Sequence, residues 1–296
     1  KEFRQMRLYT NGQGLRVDRP NAPDYKTADI LSIGGSQTLG HGVQAEQTFS
    51  QVMGRLLGVT SANLGVDSYG GVTAYARLKQ FWRLKPKVIV YGFWPDHEHR
   101  NISRCAPSAT PFCLAVPHIE FDDSGPRIVG PKSSNVYSMR LSAKYLRAIG
   151  TGRQEYPLWQ DMYWNFRVDI QKILWKLGWD GRYNSSASAE QREIATRHLL
   201  STLARETQEN GAKLVVVFLP DYQGKGPLAA VHSYVPEQLE ASGSNLIDMT
   251  AEFSNIIIAR GRQALMVPED GHMSALAHRI IARKAAAIIE ARGLLK

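Results

Sequence analysis

Two short segments near opposite ends of the 296-residue chain hold residue types that could do chemistry together: Gly34-Gly35-Ser36-Gln37-Thr38-Leu39-Gly40 and Glu269-Asp270-Gly271-His272-Met273-Ser274. Two glycines ahead of a serine let a backbone leave a strand sharply and present a hydroxyl at a helix N-terminus, where peptide dipoles favour a developing anion. A carboxylate two or three residues before a histidine can bond one imidazole nitrogen and leave the other facing outward. Ser36 as nucleophile, His272 as base and Asp270 as orienter make the constellation of acyl transfer, with Glu269 as the other candidate acid. Taken singly each segment is ambiguous. The first could be a phosphate-binding turn or a plain serine N-cap, although it lacks the Lys-Ser/Thr ending of a P-loop and the GxGxxG spacing. His272 alone could cap its own helix. The conjunction points to one chemistry.

A third segment, Asp96-His97-Glu98-His99-Arg100-Asn101, offers two histidines with acidic neighbours that could ligate a metal. No HExxH spacing and no further matching histidine cluster accompanies it. Salt-bridged loop residues are therefore the expectation, and no metal or cofactor is assigned. Cys105 and Cys113 bracket a Pro/Ser-rich stretch short enough to be closed by a disulfide, which would suit an oxidising compartment. Trp159, Trp164, Trp175 and Trp179 could serve as platforms for sugar rings, but Met162, Phe166, Ile170, Ile173, Leu174 and Leu177 beside them already read as a packed helical face. His41, His118, His198, His232 and His278 show no partner pattern.

These segments need elements to position them. Ala28 to Ile33 reads as a short buried strand running into the first glycine pair, and Thr48 to Leu57 as a helix with Phe49, Val52, Met53, Leu56 and Leu57 on one face. Ser61 to Val66 is a second strand, a helix marked by Tyr75, Leu78 and Trp82 follows, and Lys87 to Gly92 is an uninterrupted third strand of the parallel, doubly covered kind. The rhythm stops from about Pro95 to Ser188, where proline clusters and a hairpin around Asp122-Asp123-Ser124-Gly125 occur. It resumes with a helix through Ile194, Leu199 and Leu203, strands at Lys213 to Leu219 and Asn245 to Asp248, and a last helix capped by Ser274. Such alternation predicts one domain over residues 1–296, with a doubly wound parallel sheet and a large insertion at about 95–188 after the third strand. In such sheets ligands bind at the carboxyl ends of the strands, where both chemical segments fall.

The pattern resembles the SGNH/GDSL hydrolases. Gly34 to Gly40 is similar to their Gly-Asp-Ser block with Gly35 in place of Asp. Asn63-Leu64-Gly65-Val66-Asp67-Ser68-Tyr69-Gly70 is similar to the second block, and Asp270-Gly271-His272 to the last. The resemblance covers Asp29 to Gly92 and Lys213 to Arg292. It implies a three-layer α/β/α, flavodoxin-like fold and an acyl-serine intermediate. It also implies an oxyanion site made by the backbone N–H groups of Ser36 and, near the family's glycine, Ser68. The asparagine expected after the third strand is missing. Gly92-Phe93-Trp94-Pro95-Asp96-His97 stands there instead, so His97 or Asn101 is the expected side-chain donor. Esterase and carbohydrate O-acyltransferase use the same residues, and a catalytically silent glycan-binding protein could keep the fold.

Composition bounds the partners. A net charge of +9 would attract anionic glycans, and an acylated small molecule or polysaccharide is the expected substrate. The basic residues are scattered, without an arm, zinc module or aromatic-basic motif that reads nucleic acid, so no nucleic-acid partner is expected. No apolar run is long enough to span a bilayer, and the chain begins at Lys1. The expectation is an extracytoplasmic protein, periplasmic or secreted, with a membrane anchor in a missing N-terminal segment as the way it would be tethered.

Overall fold

The chain forms strands β1 (Tyr9–Thr10), β2 (Arg16–Val17), β3 (Ile30–Gly34), β4 (Ser61–Asn63), β5 (Val88–Phe93), β6 (His118–Asp122), β7 (Gly125–Val129), β8 (Lys213–Phe218) and β9 (Asn245–Asp248) in a computed structural model. Its helices are α1 (Ser36–Leu39), α2 (Phe49–Leu57), α3 (Gly71–Leu78), α4 (His97–Arg100), α5 (Ala189–Glu209), α6 (Tyr234–Ala241), α7 (Thr250–Arg260) and α8 (Ala275–Ala291). The structure describes residues 6–106, 115–131, 187–223, 228–268 and 270–296.

Strand β5 shows why the sheet is buried on both sides. Val88, Val90 and their counterparts Val215 and Val217 of β8 pack with Phe49, Met53, Phe253 and the inner face of α8. The alternate residues Ile89, Tyr91 and Phe93 pack with Leu214, Val216, Phe218 and residues of α3, α5 and α6. A period-two chain that is apolar at every position can satisfy two helical layers at once. The result is an α/β/α sandwich with α2, α7 and α8 on one face and α3, α5 and α6 on the other. Helices α2 and α8 both begin with a side-chain cap, the second at the Ser274 expected from the sequence. Thr48 accepts from Gln51 N in the first, and Ser274 accepts from Ala277 N in the second.

The sheet runs β1-β2-β4-β3-β5-β8-β9, with β4, β3, β5, β8 and β9 mutually parallel. The chain therefore reverses its direction of travel between β3 and β5. The crevice at such a switch point is where open α/β sheets bind ligands, and Ser36 follows β3 directly. The parallel sheet expected from the sequence is present, with an antiparallel edge added to it. The residues ahead of β3 add β1 and β2 as antiparallel strands at the β4 edge, Arg16 pairing with Asn63. Two-residue strands carry no periodicity to read.

Arg16 explains why that edge is built. Its guanidinium is buried and donates to the carbonyls of Leu39, Gly40 and Val43, the Gly40 bond measuring 2.6 Å. Three carbonyls in the loop that follows the serine are thus held by one cation. Burial pulls its pKa down to about 10, so it remains charged at neutral pH. Replacing Arg16 with Met removes a charged donor from all three and leaves Val43 O without a partner among the described residues, while Leu39 O keeps Asn63 Nδ2 and Gly40 O keeps Val43 N. A buried acceptor without a partner costs about 1–3 kcal/mol. The variant should lose about 3 kcal/mol in urea unfolding.

Within the expected insertion, the described residues include α4 and the β6–β7 hairpin, whose register closes Asp122 opposite Gly125 around the anticipated turn. Trp159, Trp164, Trp175, Trp179 and Cys113 lie outside the described residues, and with them the lid and the disulfide. Among the described residues no helix is long and apolar enough to cross a membrane.

Candidate active site

The edge where the parallel strands end gathers three loops. The β3–α1 turn carries Ser36 on a helix preceded by Gly34 and Gly35, with Gly34 at φ +149° and Gly35 extended. A Cβ on Gly34 would lie 2.2 Å from Thr38 Oγ1, so only glycine lets the helix start this close to the strand end. The β4–α3 loop folds over that turn. Val66 N donates to Gly34 O at 3.2 Å, and the Tyr69 carbonyl comes within 2.7 Å of where a Gly35 Cβ would sit. The loop before α8 carries Asp270 and His272.

Gln37 laces the first loop to the last. Its Oε1 accepts from Met273 N at 3.2 Å and from Tyr222 OH at 2.8 Å. Residues 37 and 273 are the chain neighbours of Ser36 and His272, so both candidates stand at one edge of the sheet. His272 Nδ1 bonds Asp270 Oδ1 at 2.8 Å, which orients the ring and leaves Nε2 to face away. No hydrogen bond joins Ser36 Oγ to His272 among the described residues. Glu269, the other acid considered, lies outside them.

The sequence reading missed a second carboxylate–imidazole pair. His41 Nδ1 meets both oxygens of Asp67 at 3.2 and 3.1 Å. Its ring stacks on His272 with centroids 4.4 Å apart and planes 25° from parallel, and its Nε2 is 3.7 Å from Asp270 Oδ2. The backbone N–H of His41 also donates to Ser36 O at 3.1 Å, so this imidazole belongs to the serine turn. The only sequence signal was its place just past Gly40; Asp67 is 26 residues on, and a pairing at that separation leaves no spacing to recognise.

The Asp67 hydrogen bond holds His41 above its ordinary pKa, with burial and the cationic Arg16 opposing and Asp270 reinforcing it. A raised folded-state value gives stability that is complete below the ordinary 6.5 and fades as pH rises through the raised value. Asp67→Asn should therefore destabilise the fold more at about pH 5.5 than at about pH 9, as read by urea unfolding at the two values.

Among the described residues, His41, Asp270 and His272 are the group whose ligand atoms lie close enough together, within 4.8 Å, to hold a metal. Their geometry fits one poorly. An imidazole binds a metal along a lone pair in its own plane, and two rings stacked 25° from parallel send those lone pairs side by side. The Asp96–Asn101 segment, read as a loop, forms the short helix α4, and its charged groups are paired. Arg100 meets Asp96, and Glu98 accepts from Tyr234 OH at 2.5 Å and faces His232 Nδ1 at 3.1 Å.

The oxyanion candidates separate clearly. Ser68 sits in the left-handed region at φ +64°, in the loop that covers Gly35, and its backbone N–H has no hydrogen-bond acceptor among the described residues. A non-glycine residue there is strained, a condition that concentrates at functional sites. His97 is buried, its Nδ1 is 2.9 Å from Tyr91 OH, and its Nε2 lies 3.1 Å from the Cβ position of Gly35. Burial drives its pKa down to about 3, so the imidazole is neutral. Asn101 is a correction. Its Oδ1 accepts from Val72 N at 3.2 Å and its Nδ2 donates to Thr196 Oγ1 at 3.4 Å, which pins the start of α3 to α5 and commits the amide away from the serine turn.

No family model and no curated protein matches the chain. Among solved structures it is similar to a protein assigned to the lipolytic G-D-S-L family from Desulfitobacterium hafniense, at 11% identity over 88% of this chain and 98% of that one, with a TM-score of 0.45. It is similar to TesA at 11% identity, 88% and 98% coverage and a TM-score of 0.45. A GDSL-like lipase from Parabacteroides merdae gives 10% identity, 92% and 98% coverage and a TM-score of 0.46. At these identities and TM-scores the likeness assigns neither an activity nor a substrate.

Proposed function

We propose that the chain is a serine-dependent acyl-ester hydrolase of the SGNH/GDSL type, with Ser36, His272 and Asp270 as its triad. The observation that carries this reading is the Gln37–Met273 bond. It ties the serine turn to the imidazole loop at the switch point of the sheet.

Ser36 Oγ attacks the ester carbonyl as its proton passes to His272 Nε2, forming a tetrahedral oxyanion. That charge falls to the N–H groups of Ser36 and Ser68 and to His97 Nε2. Collapse breaks the carbon–oxygen bond to the alcohol, which leaves with the proton from His272. Water, deprotonated by the same imidazole, then releases the acid and regenerates the serine. Asp270 steadies the imidazolium throughout. The missing Ser36–His272 hydrogen bond is compatible with this scheme, because catalytic hydrogen bonds in such sites often tighten only around the substrate.

The substrate we favour is an O-acylated carbohydrate. Trp94 is half-buried just past the end of β5 and packs 5.8 Å from Tyr222, the residue that bonds Gln37, so an aromatic face borders the serine turn. A sugar hydroxyl in place of water would make the same site an O-acetyltransferase. Labelled acetyl followed in the presence of oligosaccharide acceptors separates the two. Label in acetate supports hydrolysis, and label on the sugar supports transfer. The net charge of +9 and the Cys105/Cys113 pair favour an extracytoplasmic location, which cell fractionation tests. A silent glycan-binding protein is the remaining reading, favoured by the commitment of Asn101 elsewhere. Hydrolysis of an activated acetyl ester that depends on Ser36 excludes it.

A further inference from the structure

We propose that Tyr91 is a positioning residue for the reaction, its hydroxyl fixing His97 in the tautomer whose Nε2–H points at the serine turn. The inference rests on the serine-hydrolase reading above and adds to it a residue that no triad or oxyanion pattern contains.

A neutral imidazole can carry its proton on either nitrogen, and the partner of one nitrogen decides the other. Tyr91 is on β5 and His97 on α4, six residues later; both are buried, and their rings lie 5.7 Å apart and 14° from parallel. Tyr91 OH has one hydrogen-bond partner among the described residues, His97 Nδ1 at 2.9 Å. If Nδ1 carried the proton, it would donate to the hydroxyl. The hydroxyl's own proton would then be buried without an acceptor, which is unfavourable. If the hydroxyl donates, both groups are satisfied and the imidazole proton goes to Nε2. That nitrogen has no protein partner among the described residues and is not sealed from solvent. It faces the backbone of Gly35, one residue from Ser36. Tyr91 can serve as donor because burial and the nearby Glu98 keep its phenol protonated far above neutral pH.

The same geometry accounts for two departures from the Gly-Asp-Ser and Gly-x-Asn-Asp patterns at once. A side chain at position 35 would start 3.1 Å from His97 Nε2 and 2.7 Å from Tyr69 O. The Tyr69 carbonyl and the imidazole in the donor position together crowd out any side chain before the serine. The tyrosine is what makes that imidazole a donor.

The test is a double-mutant cycle on full-length protein with an activated acetyl ester. Tyr91→Phe keeps the ring and removes the hydroxyl. It should lower kcat about tenfold with KM little changed, a fraction of the ~10²–10³ that loss of an oxyanion donor costs. In a His97→Gln background, where the carboxamide donates without tautomerism, Tyr91→Phe should cost no more than about twofold. A hydroxyl that matters only for packing lowers both backgrounds equally, and that result overturns the proposal. The 15N signals of His97 give an independent reading that does not need turnover. The Nε2–H form is expected in the parent, and the Nδ1–H form there also overturns it. If Ser36→Ala is inactive while Tyr91→Phe keeps the parent rate, this inference fails and the serine reading stands. Equal rates for Ser36→Ala and the parent sink that reading instead.

Discussion

Ser36→Ala is expected to fold like the parent and to lose activated-ester turnover by about 10⁴-fold or more, the scale at which nucleophile loss is felt in triad enzymes. The folding half of that expectation follows from the site. Ser36 Oγ makes no hydrogen bond among the described residues, while the turn is held by Arg16, by the Val66–Gly34 bond and by Gln37. Removing one oxygen disturbs none of these. Parent and variant should therefore share one urea midpoint while their kcat/KM values differ by orders of magnitude. A variant that keeps the parent rate would move the nucleophile elsewhere.

The second large effect separates two imidazoles that stand in contact. His272→Ala should cost about as much as loss of the serine, since a triad acts as a unit, and Asp270→Asn about 10²–10⁴-fold through the wrong tautomer. His41→Ala should cost about tenfold. In this account His41 flanks the base and shares Asp270 with it, at 3.7 Å against the 2.8 Å of the His272 bond, and does not take the serine proton. The two alanine variants assayed side by side decide the matter. If His41→Ala is the more damaging, the Asp67–His41 pair is the base, and the roles assigned to Asp270 and His272 pass to it.

What could be read from the chain alone follows from how each signal arises. β5 and β8 were legible because a strand covered on both faces must be apolar at every position. The capped helices α2 and α8 were legible because Thr48 and Ser274 act on their own first turns. The helices α6 and α7 were not seen. Ser233 and Met249 stand at their N-cap positions without bonding them, and α7 buries only Phe253. The serine and the Asp-Gly-His triplet were legible as local sequence, one loop each. The relations among loops were not: Asp67 with His41, Arg16 with the serine turn, and Gln37 with Met273 are contacts between residues 23 or more positions apart. Asn101 shows the same limit from the other side. A residue of the right type near the right place was offered as a donor, when the fold uses its amide to join α3 and α5. His97 was one of two alternatives in the sequence. Only the contact with Gly35 distinguishes it from Asn101, and with the Tyr69 carbonyl that contact accounts for the glycine.

The most direct test is intact-mass analysis after treatment with a small fluorophosphonate, which phosphonylates a serine only when its hydroxyl is activated by a base and an oxyanion site. The account predicts a single adduct that maps to Ser36, forms in the parent and is lost in His272→Ala. An unmodified protein, or an adduct on another residue with Ser36 left free, would contradict it.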